Sequence, residues 1–277
     1  MLVDTNANKA LEQDGALVIP FLMASELEAV VDFYNTIQQE YELKYTHGMH
    51  MTLWHSDVSF KLKIQNGLLQ LLQAAYLRNF TECRRLNNIF MVKQSHTEGD
   101  FAIHNDWSIV DETKYTSINV WIPLQDVTQE NGGLWVLKGS HKIDMPYRGG
   151  GALLPDFTIF DKELKPYRCT MNVKAGEALL FYHKTIHGSY PNKSDQDRVV
   201  CTFSIIPQEA ALQICFQKDE NSPLEIHEPM DDFNYKYNDL LNDTNEFAPT
   251  KESKEIYHSF KQKTILASDI ILRITKK

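Results

Sequence analysis

Between Asn88 and Ile206 the chain breaks into short apolar runs, IFMVKQS, FAIHNDWSIV, TSINVWIPLQDV, GLWVLKGS, CTMNVKAGEALLFY and RVVCTFSIIP. Gly, Asn, Pro and Asp separate them, and no helical period intervenes. Strands joined this way pair antiparallel, and their apolar faces must cover one another. The expected architecture is therefore a sandwich or barrel of jelly-roll type. Ahead of this region the spacing changes to that of amphipathic helices. A short helix over Ala7 to Asp14 leads into the strand-like GALVIPF. Ser25 is the expected cap of a helix from Glu26 to Tyr41, with Leu27, Val30, Val31, Tyr34 and Ile37 on one face. A second helix is expected from Asn66 to Phe80.

These signals give a mainly β chain with flanking helices, an α+β single domain over residues 1–277. Its expected parts are a helical N-terminal portion 1–87, a jelly-roll core 88–207 and a C-terminal helical extension 208–277. Residues 141–165, with Gly149 to Gly151 and two prolines, read as a mobile lid between strands.

Composition narrows the partners. A formal net charge of -9 repels nucleic acid and anionic membrane surfaces, which leaves a small-molecule substrate. Cys83, Cys169, Cys201 and Cys215 form no C-x-x-C pair, so neither a disulfide framework nor a thiolate zinc site is indicated. A basic leader and an apolar run of membrane length are both missing from the sequence. The chain is thus read as a cytoplasmic monomer or homodimer.

The chemistry centres on His104-Asn105-Asp106. On a strand, side chains at i and i+2 share a face and can grip one metal. His187, after the strand EALLFY and before the turn-former Gly188, supplies a third donor. Two imidazoles and a carboxylate on one octahedral face are the ligand set of non-haem iron(II) oxygenases. Arg198 heads the strand RVVCTFSII, where its guanidinium can pair bidentately with the distal carboxylate of 2-oxoglutarate; Ser189 can donate to the same group. Asn119 shares a strand face with Trp121, so it too can face the co-substrate or the substrate. Lys93 shares a face with Met91, but alternation does not say which face. His183 reads as an ordinary pocket or surface histidine and His141 as structural. Trp107 is equally consistent with lining the substrate or packing between sheets, and Met49 to Asp57 with a substrate rim or a solvated connector.

Taken together, HND at 104–106, WIPLQD at 121–126, ENGGLWVLKGSHK at 130–142 and GEALLFYHKTIHGSYPNKSDQDR at 176–198 resemble the phytanoyl-CoA dioxygenase family. The N-terminal EQDGALVIPFLMASEL extends the resemblance over roughly residues 10 to 210. It implies a double-stranded β-helix, cupin-like core with Fe(II), 2-oxoglutarate and O2, and release of succinate and CO2. Position by position it makes His104, Asp106 and His187 iron ligands and Ser189 and Arg198 co-substrate ligands, and it lines the co-substrate pocket with Trp121. Because Asp106 stands where family halogenases have Ala or Gly, hydroxylation of a small metabolite is expected over halogenation. The alternatives are a non-catalytic jelly-roll binding protein and a cupin-type metalloenzyme that works without 2-oxoglutarate.

Overall fold

A computed structural model describes residues 1–229 and 255–275. Helix α1 (Thr5–Asp14) starts where the Asp4 carboxylate accepts from the backbone of Asn6 and Ala7, and it ends at Gly15, whose φ of 80° suits glycine. Strand β1 (Ala16–Pro20) follows, then α2 (Ala24–Glu40). Ser25 does not cap α2. Met23 takes the cap position, and Glu26 reaches back to accept from its backbone N–H at 2.8 Å. The helix expected over 66–80 is two helices, α3 (Val58–Leu71), capped by Asp57, and α4 (Gln73–Asn79), with Leu72 at φ −89° and ψ 0° between them.

The strands are β2 (Met49–Met51), β3 (Cys83–Lys93), β4 (Phe101–His104), β5 (Ile118–Pro123), β6 (Leu134–Val136), β7 (Gly150–Gly151), β8 (Cys169–Thr170), β9 (Glu177–Tyr182), β10 (His187–Ser189), β11 (Arg198–Pro207), β12 (Ile214–Gln217), β13 (Leu224–His227) and β14 (Glu255–Tyr257). They form a six-stranded sheet, β1-β9-β5-β11-β3-β2, and a four-stranded sheet, β4-β10-β6-β8, both antiparallel. Period-two alternation divides the larger sheet. Phe90, Val92, Val120, Leu180 and Phe203 pack with Ile37, Phe60 and Leu68 of the helices. Each such buried side chain contributes about 1.5–3 kcal/mol. The opposite face carries Trp121, Leu179, Phe181 and Val200 towards Leu134 and Val136 of the smaller sheet.

The C-terminal part departs from expectation. Residues expected to be helical in 208–277 include β12, β13 and β14, which add a third sheet with β7, and one helix, Ala267–Thr275. The strands were hard to see because each has only three or four residues in a polar, acidic stretch. Residues 230–254 and 276–277 of that extension lie outside the described residues. No helix among the described residues is long and apolar enough to cross a membrane.

Candidate active site

His104 is the last residue of β4 and sits directly opposite His187 of β10, which places the two rings 4.2 Å apart. Asp106 lies just beyond the strand, not within it as the i, i+2 reading supposed. Its backbone N–H donates to the carbonyl of His183 at 2.9 Å, which ties it to the segment leading into β10. Its carboxylate oxygens stand 3.8 Å from His104 Nε2 and 3.9 Å from His187 Nε2. The three ligating atoms lie within 4.8 Å of one another.

Their protonation suits metal binding. Nδ1 of His104 is 2.7 Å from the Ala102 carbonyl, and Nδ1 of His187 is 2.9 Å from the Thr185 carbonyl. A carbonyl only accepts, so each ring carries its proton on Nδ1 and offers the Nε2 lone pair to the shared point. Burial, reinforced by His187, pushes His104 down to about 4, which keeps it neutral near pH 7. Burial alone would raise the Asp106 carboxyl, but the imidazoles of His187, His183 and His104 and the Arg148 guanidinium together hold it below its usual value. Two imidazoles and one ionised carboxylate therefore converge, a donor set that fits ferrous iron.

A second cluster lies at the neighbouring end of the larger sheet. Arg198 and Lys93 are cross-strand partners, and both are buried. The Arg198 guanidinium donates to the Gly132 carbonyl at 2.9 Å and lies 5.2 Å from the centre of the Trp121 ring, while its Nε has no partner. Lys93 Nζ donates to Ser189 Oγ at 3.0 Å and to the Tyr190 carbonyl. Burial and the charge of Arg198 lower Lys93 to about 8, and burial also pushes Arg198 down. Two buried cations side by side with no ion pair among the described residues are costly unless an anion sits between them. The glycine of the ENGG turn lets them approach: Gly132 has φ +81°, and a Cβ there would stand 2.9 Å from Lys93 Cδ.

Lys93 is thus a site residue that sequence reasoning did not assign, and its pairing register with Arg198 is the signal that finds it. Asn119 shares the expected face, but its amide is committed to Asp106 and Ser204. Its Nδ2 donates to Asp106 Oδ2 at 2.7 Å, and its Oδ1 accepts from Ser204 at 2.9 Å. His183 continues this chain, with Nε2 3.2 Å from Ser204 Oγ and Nδ1 3.1 Å from the Trp107 carbonyl. Arg148 was also missed. Fully buried, it donates to both carboxylate oxygens of Glu112 and, through Nε, to the Asp106 carbonyl at 2.7 Å.

His104, Asp106, Asn119, Trp121, His183, His187, Ser189 and Arg198 meet in a cavity of about 430 Å³ that also exposes Met49, Met51, Trp54, Trp107 and Leu154. The segment from Met49 is therefore wall as well as connector. The supposed lid at 141–165 is packed down by buried Met145, Arg148, Leu153, Phe157 and Leu164, and within it only Leu154 lines the cavity. His141 lies away from the cavity, stacked on Tyr182 with Nε2 2.9 Å from the Glu12 carbonyl.

The family model for phytanoyl-CoA dioxygenase (PhyH) matches residues 11–200. Among curated proteins, "Phytanoyl-CoA dioxygenase domain-containing protein 1" of Danio rerio is 32% identical over 135 residues, covering 45% of each chain. "Phytanoyl-CoA dioxygenase" of Arabidopsis thaliana is 27% identical over 127 residues, 45% of this chain and 44% of that one. The matched stretch thus spans less than half the length of these relatives. Among solved structures, the non-heme alpha-ketoglutarate-dependent carbocyclase SnoK superposes with a TM-score of 0.55 at 16% identity, covering 76% of this chain and 86% of that one. HygX of Streptomyces hygroscopicus, with nickel and 2-oxoglutarate bound, gives 0.54 at 14% identity, covering 75% and 88%. These likenesses show the same jelly-roll fold.

Proposed function

The chain belongs to the phytanoyl-CoA dioxygenase family, and from that premise we propose that it is an Fe(II)- and 2-oxoglutarate-dependent dioxygenase that hydroxylates a C–H bond of a small molecule. One observation carries the reading: a two-histidine, one-carboxylate cluster shares its cavity with the buried guanidinium of Arg198, whose cross-strand partner Lys93 is buried behind it with no ion pair among the described residues. His104, Asp106 and His187 would hold the iron. When bound, ferrous iron with 2-oxoglutarate and O2 supplies the oxidation, and the keto acid leaves as succinate and CO2.

The chain's own residues do the binding and the orienting. The guanidinium of Arg198 offers a planar fork to the far carboxylate of 2-oxoglutarate, and the Lys93 ammonium adds a second charge to it. Ser189, already accepting from Lys93, can donate its hydroxyl proton to that carboxylate. Trp121 walls the same end and stacks near the guanidinium. Asn119 fixes the rotation of the Asp106 carboxylate by bonding one of its oxygens, and the backbone carbonyls of Ala102 and Thr185 fix the two imidazole tautomers. The apolar remainder of the cavity excludes water from the reacting centre.

The test is an anaerobic titration of the protein with Fe(II) and 2-oxoglutarate. A visible metal-to-ligand charge-transfer band should saturate at one equivalent of each, and air should then release succinate. A protein that binds iron without that band, or that makes no succinate under any substrate screen, is not this enzyme.

A further inference from the structure

The proposed cofactors occupy only part of the cavity, and the chemistry of the rest identifies what else enters. The inner face of the larger sheet changes character along its strands. At one end stand Lys93 and Arg198; two residues on, Met91 and Val200; two further, Ile89 and Thr202. The wall continues through Met51, paired with Met91, and Met49, and is closed by Trp54 and Leu154.

At this apolar end no charge is left for a substrate. Among the described lining residues the ionisable side chains are His104, Asp106, His183, His187 and Arg198. On the proposed reading three hold the metal and Arg198 holds the dicarboxylate, while both ring nitrogens of His183 already face the Trp107 carbonyl and Ser204. A carboxylate, phosphate or ammonium brought here would be desolvated with no partner, which strongly disfavours binding. The overall charge of -9 also repels a polyanionic carrier such as coenzyme A lying across the mouth. The other polar residues on the wall, Asn87, Asn105 and Thr202 among them, are neutral. Three of the chain's eight methionines, Met49, Met51 and Met91, line this end, and unbranched thioethers adapt to irregular hydrocarbon shapes.

We propose that the substrate is an uncharged, hydrocarbon-rich small molecule, such as an alcohol or ketone, that lies along the Met49–Met51–Met91 wall, and that it is neither an acyl-coenzyme A thioester nor a free amino acid. The inference rests on the dioxygenase reading, because that reading assigns the charged groups elsewhere.

The experiment compares 1-decanol, decanoate, decylamine and decanoyl-coenzyme A, which share one chain and differ in the head group. Binding is measured by anaerobic calorimetry on the full chain loaded with Fe(II) and 2-oxoglutarate. Decanol should bind at least about tenfold more tightly than each charged ligand. Without 2-oxoglutarate, decanoate alone should improve, because Lys93 and Arg198 then become available to it. Met51→Lys, with loading checked by the charge-transfer band, should reverse the order of decanol and decanoate. Equal or tighter binding of any charged ligand to the loaded wild-type protein overturns the proposal, and so does failure of all four to bind. If the band itself never forms, the dioxygenase reading fails first; a normal band with the wrong head-group order defeats the substrate class alone.

Discussion

The two sheets that enclose the cavity hold their site residues in different ways. On the larger sheet, Lys93, Trp121 and Arg198 stand on strands of six to eleven residues whose opposite faces are buried against helices. Their positions follow from ladder register and core packing. On the smaller sheet, His104 and His187 stand on strands of four and three residues, and Asp106 lies outside any strand. Such short ladders fix little by themselves. Polar bonds hold the His–Asp cluster instead: Asn119 to the Asp106 carboxylate, Arg148 to its carbonyl, and backbone carbonyls to the imidazoles. The Lys93–Arg198 end therefore inherits its geometry from hydrophobic packing, and the His–Asp cluster from a hydrogen-bonded scaffold.

The largest effect expected on this picture comes from removing a ligand where the scaffold has no substitute. His187→Ala should abolish stoichiometric iron binding and lower turnover by more than the ~100-fold upper limit for losing a supporting hydrogen bond. Stability should stay close to wild type, because the ring borders the cavity. Iron content and succinate release measure it, and full iron content in the variant would remove His187 from the ligand set.

Arg148 separates the two kinds of support. Arg148→Met leaves Glu112 buried and unpaired, and should cost about 3–5 kcal/mol in denaturant unfolding. The double variant Arg148→Met with Glu112→Leu removes both charges and should recover most of that stability. It does not restore the bond to the Asp106 carbonyl, so iron affinity should remain about 10–100-fold weak. Wild-type iron affinity in the double variant would show that the pair supports the fold alone. At the other end, Arg198→Ala should raise KM for 2-oxoglutarate by about 10–100-fold, the loss of one strong charged pair. Its effect on kcat should be small, and a fall in kcat with KM unchanged would place Arg198 outside the co-substrate site.

This division also explains what could be read from the sequence. The convergence of His104, Asp106 and His187 was legible because HND and HGS are local signals, and Gly188 has a definite cause: a Cβ there would meet the Trp135 ring at 2.5 Å. β2 lay in the segment read as rim or connector, but the other five of the six strands of the larger sheet were legible as short apolar runs bounded by turn residues. Lys93 was not, since alternation gives two faces and only pairing with Arg198 chooses between them. The break at Leu72 escaped because α3 and α4 share one apolar spacing across it. Arg148 escaped because its partner lies 36 residues away, and because the three glycines beside it read as mobility. Two of those glycines lie against a neighbouring strand: a Cβ on Gly149 or Gly151 would strike the carbonyl oxygen of Cys215 or Gln217.

The smallest expected effect tests whether packing at the Lys93–Arg198 end also tunes a charge. Burial and the neighbouring Arg198 lower Lys93 from the ordinary lysine value to about 8. Below that pH the ammonium is present and attracts the dianion; as pH rises through about 8 the free enzyme loses the charge and part of its affinity. Bound 2-oxoglutarate stabilises the ammonium, so the complex deprotonates at higher pH, and the change should fall on KM rather than on kcat. KM for 2-oxoglutarate should accordingly climb above pH 8 by about tenfold, the lower end of the scale for one charge-assisted hydrogen bond. Lys93→Met keeps the volume and removes the titrating group. It should show the raised KM at every pH, with no inflection near 8. An unchanged inflection in Lys93→Met would assign the titration to another group, and packing around Lys93 would then set its position without setting its charge.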